Sequence, residues 1–331
     1  MLAVIARGWR SVRFKPSRAA LLGIAIAGGL VVVCGGNSGS AGDGSPERIP
    51  DRIKVATTIY PVEYFVGRVG GERIDIVSLI PPGVEAHDFE PKVSDLIDIV
   101  QADLLIYNGA EFEPWVERAL KALGGDAPPA IESVALLRAD LLAGEGREGE
   151  DDHADDEFDP HVWLSPLKAM AQVEAIVDAL TAIRPGLANE FQSAGIALTS
   201  QLESLDDRFR SGLSECSLDA FVTSHAAYGY LAEEYGLEQI AVAGLSPDAE
   251  PKPRTLANIA NRMSDLGVSH VLIEPIANSR VGETLAREIG GTTLPLHPLE
   301  SLTEEEQNSG ADYFSIMNQN LESLVIALDC N

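Results

Sequence analysis

Short β-rich runs alternate with helical runs twice along this chain, once on each side of a long helical stretch. The first series covers residues 52–123, and the second runs from residue 219 to the end of the chain. Strands that alternate with helices form largely parallel sheets, because parallel neighbours need a crossover connection. The alternation therefore predicts an α/β fold with two parallel-sheet lobes, at 51–183 and 214–331.

The helical stretch between the two series predicts a linker. Residues 166–183 and 188–213 both have helical patterns, and Pro185 separates them. Apolar side chains form a roughly helical stripe, namely Leu187, Phe191, Ile196, Leu198, Leu202, Leu205 and Phe209. We expect one long linker helix at 184–213 that joins the lobes stiffly, since a helix bends less than a Gly/Ser linker.

The first 33 residues have the composition of a secretory signal peptide. Five basic residues precede an apolar run at 19–33, which is shorter than the roughly 20 residues that span a bilayer. Cys34 and a Gly/Ser-rich stretch follow, so residues 34–50 are expected to be a flexible tether. This order resembles a bacterial lipoprotein with its lipid on Cys34. Cleavage without lipidation and a permanent membrane anchor are the alternatives.

The charge of the chain excludes one class of partner. The formal net charge is −27, and the basic signal peptide contains no acid, so removing it makes the remainder more negative. Such a surface repels the phosphates of nucleic acids and attracts cations. Residues 143–159 are especially rich in Asp and Glu and lack apolar periodicity, which predicts a disordered surface loop. Its His153 is either part of a solvated charge run or a loose metal scavenger.

Beyond Cys34 the chain contains two cysteines, Cys216 and Cys330. Export would permit a disulfide between them. Two unpaired buried thiols are the alternative.

Three histidines lie where a parallel α/β fold places its ligands. His87 and His225 each follow a predicted strand, one in each half of the chain, and His161 lies in the sequence DPHVW. Ligands of such folds bind beyond the carboxyl ends of the strands. A single histidine there is more often a hydrogen-bonded structural residue, whereas three favour a shared metal site. The residues by themselves leave both interpretations open.

Seven motifs resemble those of the zinc/manganese family of ABC-transporter solute-binding proteins, in its zinc-binding branch. They are VATTIYP at 55–61, PGVEAHDFEP at 82–91, ADLLIYN at 102–108, DPHVWLSP at 159–166, TSHAAYGY at 223–230, GLSPDAEP at 244–251 and HPLESL at 297–302. The resemblance extends from residue 52 to nearly the end of the chain. It implies two α/β lobes joined by one long rigid helix, with a metal site in the cleft between them.

The same resemblance implies four metal ligands. His87, His161 and His225 stand at the family's three histidine positions, and Glu300 stands at the fourth. A histidine at the third position is typical of the zinc branch, whereas manganese members tend to carry a carboxylate there. Imidazole suits zinc, and Mn²⁺ prefers more oxygen ligands. We therefore expect Zn²⁺ as the cargo, with Mn²⁺ as the alternative.

The function implied is that of an exported solute-binding protein, either periplasmic or a cell-surface lipoprotein. It would capture Zn²⁺ and deliver it to an ABC-type permease that an ATPase drives. We expect a monomer that is not an enzyme and that contacts the membrane only through its N-terminal anchor. The alternatives are a zinc hydrolase, which needs an open coordination position for water, and a surface adhesin that keeps the metal for structure.

The sequence also predicts roles for other polar residues near these positions. Glu85 and Asp88 flank His87 and are expected to orient it. Glu274 follows a predicted strand and is an alternative to Glu300 as a ligand. His270 is expected to be structural, and His297 is either structural or a neighbour that supports Glu300.

Overall fold

The computed structural model describes residues 52–142, 158–247, 251–276 and 280–331. The predicted signal peptide at 1–33, Cys34 and the tether at 34–50 lie outside these ranges, as do His153 and all but the last two residues of the acidic loop. Within the described ranges, none of the helices combines the length and the apolar character that crossing a membrane requires.

The N-terminal lobe is built on a four-stranded parallel sheet with the order β2-β1-β3-β4. Its strands are β1 (Ile53–Thr57), β2 (Ile74–Ser78), β3 (Leu104–Tyr107) and β4 (Ala130–Glu132). Its helices are α1 (Tyr60–Gly70), α2 (Val93–Gln101) and α3 (Pro114–Leu123). Proline at the start of α1 and of α3 suits the first helical turn, where a backbone N–H has no partner within the helix.

The C-terminal lobe repeats this arrangement with the order β6-β5-β7-β8. Its strands are β5 (Ala220–Thr223), β6 (Glu238–Ala241), β7 (His270–Ile273) and β8 (Thr292–Pro295). Its helices are α6 (Gly229–Tyr235), α7 (Pro253–Leu266), α8 (Arg280–Glu288), α9 (Glu304–Ser309) and α10 (Tyr313–Ala327). The strand order in each sheet reverses direction beside the first strand, which creates a crevice at the carboxyl ends.

Two long helices lie between the lobes in the chain, α4 (Pro166–Ile183) and α5 (Ala188–Gly212). Within the predicted linker at 184–213, the long helix is α5, and a short 3₁₀ turn at Pro185–Leu187 separates it from α4. The helices form a hairpin in which Gly195 lets them approach closely, because a Cβ there would lie 2.6 Å from Val177. Helix α5 also packs against α1 and α10, so one face of it is buried along its length.

The predicted apolar stripe of α5 is wrong at one position. Phe191, Leu198, Leu202, Leu205 and Phe209 are buried, but Ile196 is 71% exposed. At 100° per residue, position 196 lies about 200° from position 198 and therefore faces solvent. Gly195 takes the buried position that the spacing requires.

One hydrophobic core runs through both lobes. It includes Val55 of the N-terminal sheet, Phe209 of α5, Tyr228 of the C-terminal lobe and Leu299 of the turn after β8. Because the core is continuous, the lobes share buried apolar surface, and wide hinge opening would expose it to water.

A disulfide joins Cys216 to Cys330, 114 residues apart. The two cysteines also form an isolated antiparallel bridge, and Leu218 N donates to Leu328 O nearby. The end of the chain is thereby fastened to the segment that leaves α5. Closing so long a loop contributes about 4–5 kcal/mol in the chain-entropy account.

Candidate metal centre

The structure brings the four predicted ligands together between the lobes. His87 lies in the loop between β2 and α2, and His161 lies just before α4. His225 follows β5 by two residues, and Glu300 lies in the turn between β8 and α9. Each offers one ligand atom, and these four atoms all lie within 4.8 Å of one another.

Four of the six distances between the ligand atoms match those around a tetrahedrally coordinated ion. Glu300 Oε1 lies 3.4 Å from His87 Nε2, 3.5 Å from His161 Nε2 and 3.6 Å from His225 Nε2. The Nε2 atoms of His87 and His161 are 3.3 Å apart. Zinc bonds of about 2.0–2.1 Å at tetrahedral angles place neighbouring ligand atoms about 3.3–3.4 Å apart. The cluster therefore has the size of a four-coordinate zinc site.

Two of these ligand atoms are buried and have no hydrogen-bond partner among the residues that the structure describes. They are Nε2 of His225 and Oε1 of Glu300. A buried polar atom that makes no hydrogen bond loses the solvation it had in water, so native structures rarely leave one unsatisfied. A cation bound between these atoms would supply the missing interaction.

Two further carboxylates orient the buried imidazoles. Asp159 Oδ1 lies 2.8 Å from His161 Nδ1 and also accepts from the His161 backbone N–H at 2.9 Å. Glu274 Oε1 lies 2.5 Å from His225 Nδ1 and accepts from the Ser224 hydroxyl as well. A carboxylate on Nδ1 holds the ring and leaves Nε2 for the metal, which is a common arrangement in zinc sites.

Sequence reasoning missed these partners. Asp159 was not singled out, although it stands two residues before His161. The sequence predicts Glu274 as an alternative to Glu300, whereas in the structure its carboxylate contacts His225 Nδ1. The signal for Glu274 is the sheet order, since β7 pairs with β5 and the residues after both strands meet at one edge.

The ionisable groups of the cluster strongly influence one another's pKa. Burial alone would raise the pKa of Glu300, but the three surrounding imidazoles hold that pKa well below its usual range. Burial would lower the pKa of His225, but Glu274 outweighs it and raises the pKa to about 10. In the same way, the hydrogen bond to Asp159 outweighs burial and raises the pKa of His161. A divalent cation at the centre would take the place of the protons on these rings.

An aromatic wall closes the N-terminal side of the cluster. The Phe112 ring lies 4.4 Å from the His87 ring and 5.5 Å from the Trp163 ring, measured between centroids. The buried Glu113 carboxylate holds the loop that carries Phe112, because it accepts from the backbone N–H groups of Asn108 and Gly109. Burial raises the pKa of Glu113 to about 7. The wall keeps water from one side of the ligand atoms.

The residues that flank His87 differ in their positions. Glu85 Oε1 accepts from the His87 backbone N–H at 3.3 Å, and Glu85 lines a small cavity together with Glu274 and Glu300. Burial and the nearby Glu300 carboxylate raise the pKa of Glu85 to about 8. Asp88, in the same loop, is exposed to solvent.

The other two histidines that the structure describes, His270 and His297, lie outside the cluster. His270 Nδ1 lies 2.9 Å from Thr292 Oγ1, a contact between adjacent strands of the C-terminal sheet. His297 is buried, and its ring contacts Glu306 and the backbone of Leu299.

Comparison with known proteins places the chain among its relatives. The family model described as zinc-uptake complex component A, periplasmic (ZnuA), matches residues 55–327. The chain belongs to this family. The matched residues include every described element from within β1 to the end of α10, together with the whole donor cluster.

Curated members of the ZnuA family resemble the chain at moderate identity. The zinc-binding lipoprotein AdcA of Streptococcus pneumoniae is 38% identical over 277 residues, which is 82% of this chain and 55% of AdcA. The high-affinity zinc uptake system protein ZnuA of Bacillus subtilis is 38% identical over 303 residues, which is 89% of this chain and 92% of that protein. The chain thus spans about half the length of AdcA and nearly all of the B. subtilis protein.

Solved structures related to the ZnuA family have the same fold. The Zn(II)-bound ZnuA-like domain of S. pneumoniae AdcA superposes with a TM-score of 0.71 at 37% identity, covering 84% of this chain and 99% of that one. The laminin-binding protein Lmb of Streptococcus agalactiae, described as having adhesin and metal-transporting activity, gives a TM-score of 0.73 at 26% identity, covering 83% and 99%. These matches confirm the two-lobed α/β fold with its long connecting helix.

Proposed function

We propose that this protein captures Zn²⁺ outside the cytoplasm and delivers it to an ABC-type importer. The observation that carries the proposal is the four-atom cluster of His87, His161, His225 and Glu300, whose separations match tetrahedral zinc coordination. The relatives support the choice of cargo, because AdcA is named as a zinc-binding lipoprotein and ZnuA as a zinc uptake protein.

The donor set favours zinc over manganese. Three imidazoles and one carboxylate supply only one or two oxygen atoms, whereas Mn²⁺ prefers carboxylate, carbonyl and water ligands. Three neutral imidazoles and one carboxylate leave a Zn²⁺ site with one net positive charge. The orienting carboxylates Asp159 and Glu274 stabilise that charge from behind the rings.

The same geometry supports cargo binding over catalysis. A hydrolytic zinc needs an open position for water, usually beside three protein ligands. Glu300 Oε1 lies 3.4–3.6 Å from all three imidazole nitrogens, so the carboxylate occupies the fourth corner. We therefore propose that the protein holds zinc as a transported ligand and is not an enzyme.

Export and partners are part of the proposal. The sequence features at 1–33 and Cys34 favour an exported protein that is anchored by lipid or released into the periplasm. The loaded, monomeric protein would dock on a membrane permease that an ATPase drives. The family description as a periplasmic zinc-uptake component supports this arrangement.

Adhesion is a second candidate function, which the likeness to the laminin-binding protein Lmb favours. The two functions make different demands on the donor cluster. In a strain that lacks zinc uptake, a transport role predicts that the wild-type gene restores growth at low zinc and that His225→Ala does not. Equal rescue by both genes, together with laminin binding that survives the substitution, would favour adhesion.

Metal content tests the proposed cargo. The mature, chelator-stripped protein is titrated with Zn²⁺ and Mn²⁺ in competition, beside a His225→Ala variant. We expect one zinc per chain, weak manganese binding and a large loss in the variant. Manganese preference would overturn the assignment of the metal, and the lack of any stoichiometric metal would overturn the site.

A further inference from the structure

We propose that His297 is a positioning residue that fixes the turn carrying Glu300 at the metal centre. The inference rests on the proposed zinc binding, since it concerns the placement of the fourth ligand. His297 follows β8 by two residues and is buried, with 5% of its surface exposed. It contacts none of the three imidazole ligands through a described hydrogen bond or ion pair, so it would act through the chain between it and Glu300.

Both ring nitrogens of His297 are engaged. Nδ1 accepts the backbone N–H of Leu299 at 2.8 Å. A nitrogen that accepts this bond carries no proton, so the neutral ring carries its proton on Nε2. Nε2 lies 3.4 Å from Glu306 Oε2 and donates to that carboxylate. The ring therefore bridges the turn after β8 and the first turn of α9.

The backbone of His297 is held in place from the other side. Its N–H donates to Asn320 Oδ1 at 2.8 Å, and its carbonyl accepts from Asn320 Nδ2 at 2.8 Å. Asn320 is buried in α10, so this pair of bonds ties His297 to a helix of the core. The ring is thereby a fixed reference point for the turn.

The bond to Leu299 supports an unfavourable backbone conformation. Leu299 has a φ of 66°, a left-handed conformation that residues with a branched side chain seldom adopt. Its N–H bond to His297 Nδ1 helps to hold that conformation. The next residue is Glu300, so the conformation of Leu299 sets the direction in which the Glu300 side chain leaves the backbone.

Bonds to the N-terminal lobe hold the two sides of the turn. Trp163 Nε1 donates to Pro298 O at 2.6 Å, before Leu299. Tyr60 N donates to Glu300 O at 3.0 Å, after it. These bonds locate the ends of the strained segment, and the His297 bond selects the conformation between them. Without it, we expect Leu299 to relax and Glu300 Oε1 to move away from the imidazole cluster.

The second contact of His297 anchors the ring to a helix cap. Glu306 accepts from the Thr303 backbone N–H and hydroxyl, both at 2.8 Å, in the capping box of α9. The hydrogen bond to His297 helps to lower the pKa of Glu306 to about 2, so the carboxylate stays ionised. Of the two contacts, the one to Leu299 acts on the turn directly, and it is the one that an experiment should isolate.

Two substitutions separate these contacts. His297→Asn places an amide oxygen near the position of Nδ1 and loses the reach to Glu306. His297→Gln places an amide near the position of Nε2 and loses the acceptor for Leu299. We expect His297→Gln to weaken zinc binding about tenfold, as substitutions behind a ligand commonly do. We expect His297→Asn to retain most of the wild-type affinity. His270→Gln is the matched control, because that histidine contacts Thr292 and should leave zinc affinity unchanged.

A double-mutant cycle with Glu300→Ala tests whether His297 acts through the ligand. Zinc affinity is measured by chelator competition at a temperature where thermal unfolding shows every zinc-free variant to be folded. If His297 positions Glu300, the roughly tenfold loss from His297→Gln should shrink to less than about twofold once Glu300 is alanine.

Other outcomes overturn the proposal in distinguishable ways. Equal losses in both backgrounds, or a lower unfolding temperature with unchanged zinc affinity, would give His297 a structural role only. A loss from Glu300→Ala with none from His297→Gln would refute the positioning role and leave the proposed function standing. If the wild-type protein binds no zinc, both proposals fail.

Discussion

The loops that carry His87 and His225 each follow a strand of a parallel sheet, one in each lobe, yet they hold their histidines differently. His225 follows β5 by two residues, its ring is fully buried, and Glu274 holds its Nδ1. Gln239 also donates to the His225 carbonyl. His87 follows β2 by nine residues, and its side chain is 11% exposed. In the described part of the chain, no carboxylate hydrogen-bonds to His87 Nδ1.

This difference assigns separate tasks to the two loops. The His225 loop is preorganised, so it contributes to affinity without ordering a flexible segment on binding. The longer His87 loop leaves its histidine partly exposed to solvent. We infer that zinc first meets the buried ligands or the cavity lined by Glu85, and that His87 closes on it last. The predictions below test that division, from the largest expected effect to the smallest.

Removing His225 should have the largest effect. If four ligands share roughly 10–16 kcal/mol of binding free energy, His225→Ala should weaken zinc binding by about 100-fold or more. His87→Ala should cost less affinity and raise the dissociation rate more, because His87 faces the exit. Chelator competition and stopped-flow release measure the two quantities. Equal losses with equal release rates would remove the distinction between the loops.

The carboxylates behind the histidines give a narrower test. Glu274→Gln should lower zinc affinity about 10- to 100-fold, since it removes the charge that orients and polarises His225. Glu85→Gln is the matched substitution on the other loop, where the carboxylate contacts backbone rather than the ring. It should change equilibrium affinity little. If titration found equal losses of zinc affinity in Glu274→Gln and Glu85→Gln, the proposed difference between the two loops would be wrong.

Acid should weaken zinc binding through the buried histidines. The pKa of zinc-free His225 is raised to about 10, and that of His161 is raised above its usual value. At pH 7 zinc must therefore displace at least the His225 proton, whereas Glu300, with its lowered pKa, stays ionised and releases none. Affinity should rise about tenfold per pH unit for each proton released.

Calorimetry in buffers of different ionisation enthalpy counts the protons released at pH 6 and pH 7. The expected number is at least one at both values. A count near zero would mean that the imidazoles are already neutral in the zinc-free protein. The electrostatic coupling between His225 and Glu274 would then be much weaker than the structure indicates.

Opening the disulfide should change zinc affinity least. The double substitution Cys216→Ser and Cys330→Ser removes the link between the segment after α5 and the chain end. Neither cysteine belongs to the four-residue cluster. Thermal unfolding of the zinc-free protein should show a loss of about 4–5 kcal/mol in the free energy of unfolding, while chelator competition should give the wild-type affinity. A matching fall in affinity would show that the C-terminal lobe is less preorganised than we infer.

The parts of this account that the sequence could predict follow from local patterns. Alternating strands and helices predicted the two parallel-sheet lobes, and the position of His87 and His225 after strands predicted that ligands gather at the carboxyl edges. Glu300 could be named only through the family resemblance. It lies in an irregular turn with a left-handed residue before it, and no periodic pattern marks such a turn.

The features that the sequence could not predict depend on which surfaces of the protein pack against each other. The apolar pattern could not show that α4 and α5 form a hairpin, because a stripe marks a buried face without naming its partner. Asp159 and Glu274 escaped assignment for a related reason. A carboxylate near a histidine in sequence is common, and its role depends on which ring nitrogen it reaches. The order of strands in the sheet would have been needed to place Glu274 behind His225.

The most direct test of the account is X-ray absorption at the zinc edge of the mature, stoichiometrically loaded protein. We expect four nitrogen or oxygen neighbours at about 2.0–2.1 Å from the zinc, with the scattering of three imidazoles. Glu300→Ala should alter the oxygen neighbour and keep all three imidazoles. Five or six neighbours, fewer than three imidazoles, or a spectrum that Glu300→Ala leaves unchanged would contradict a closed site made by His87, His161, His225 and Glu300.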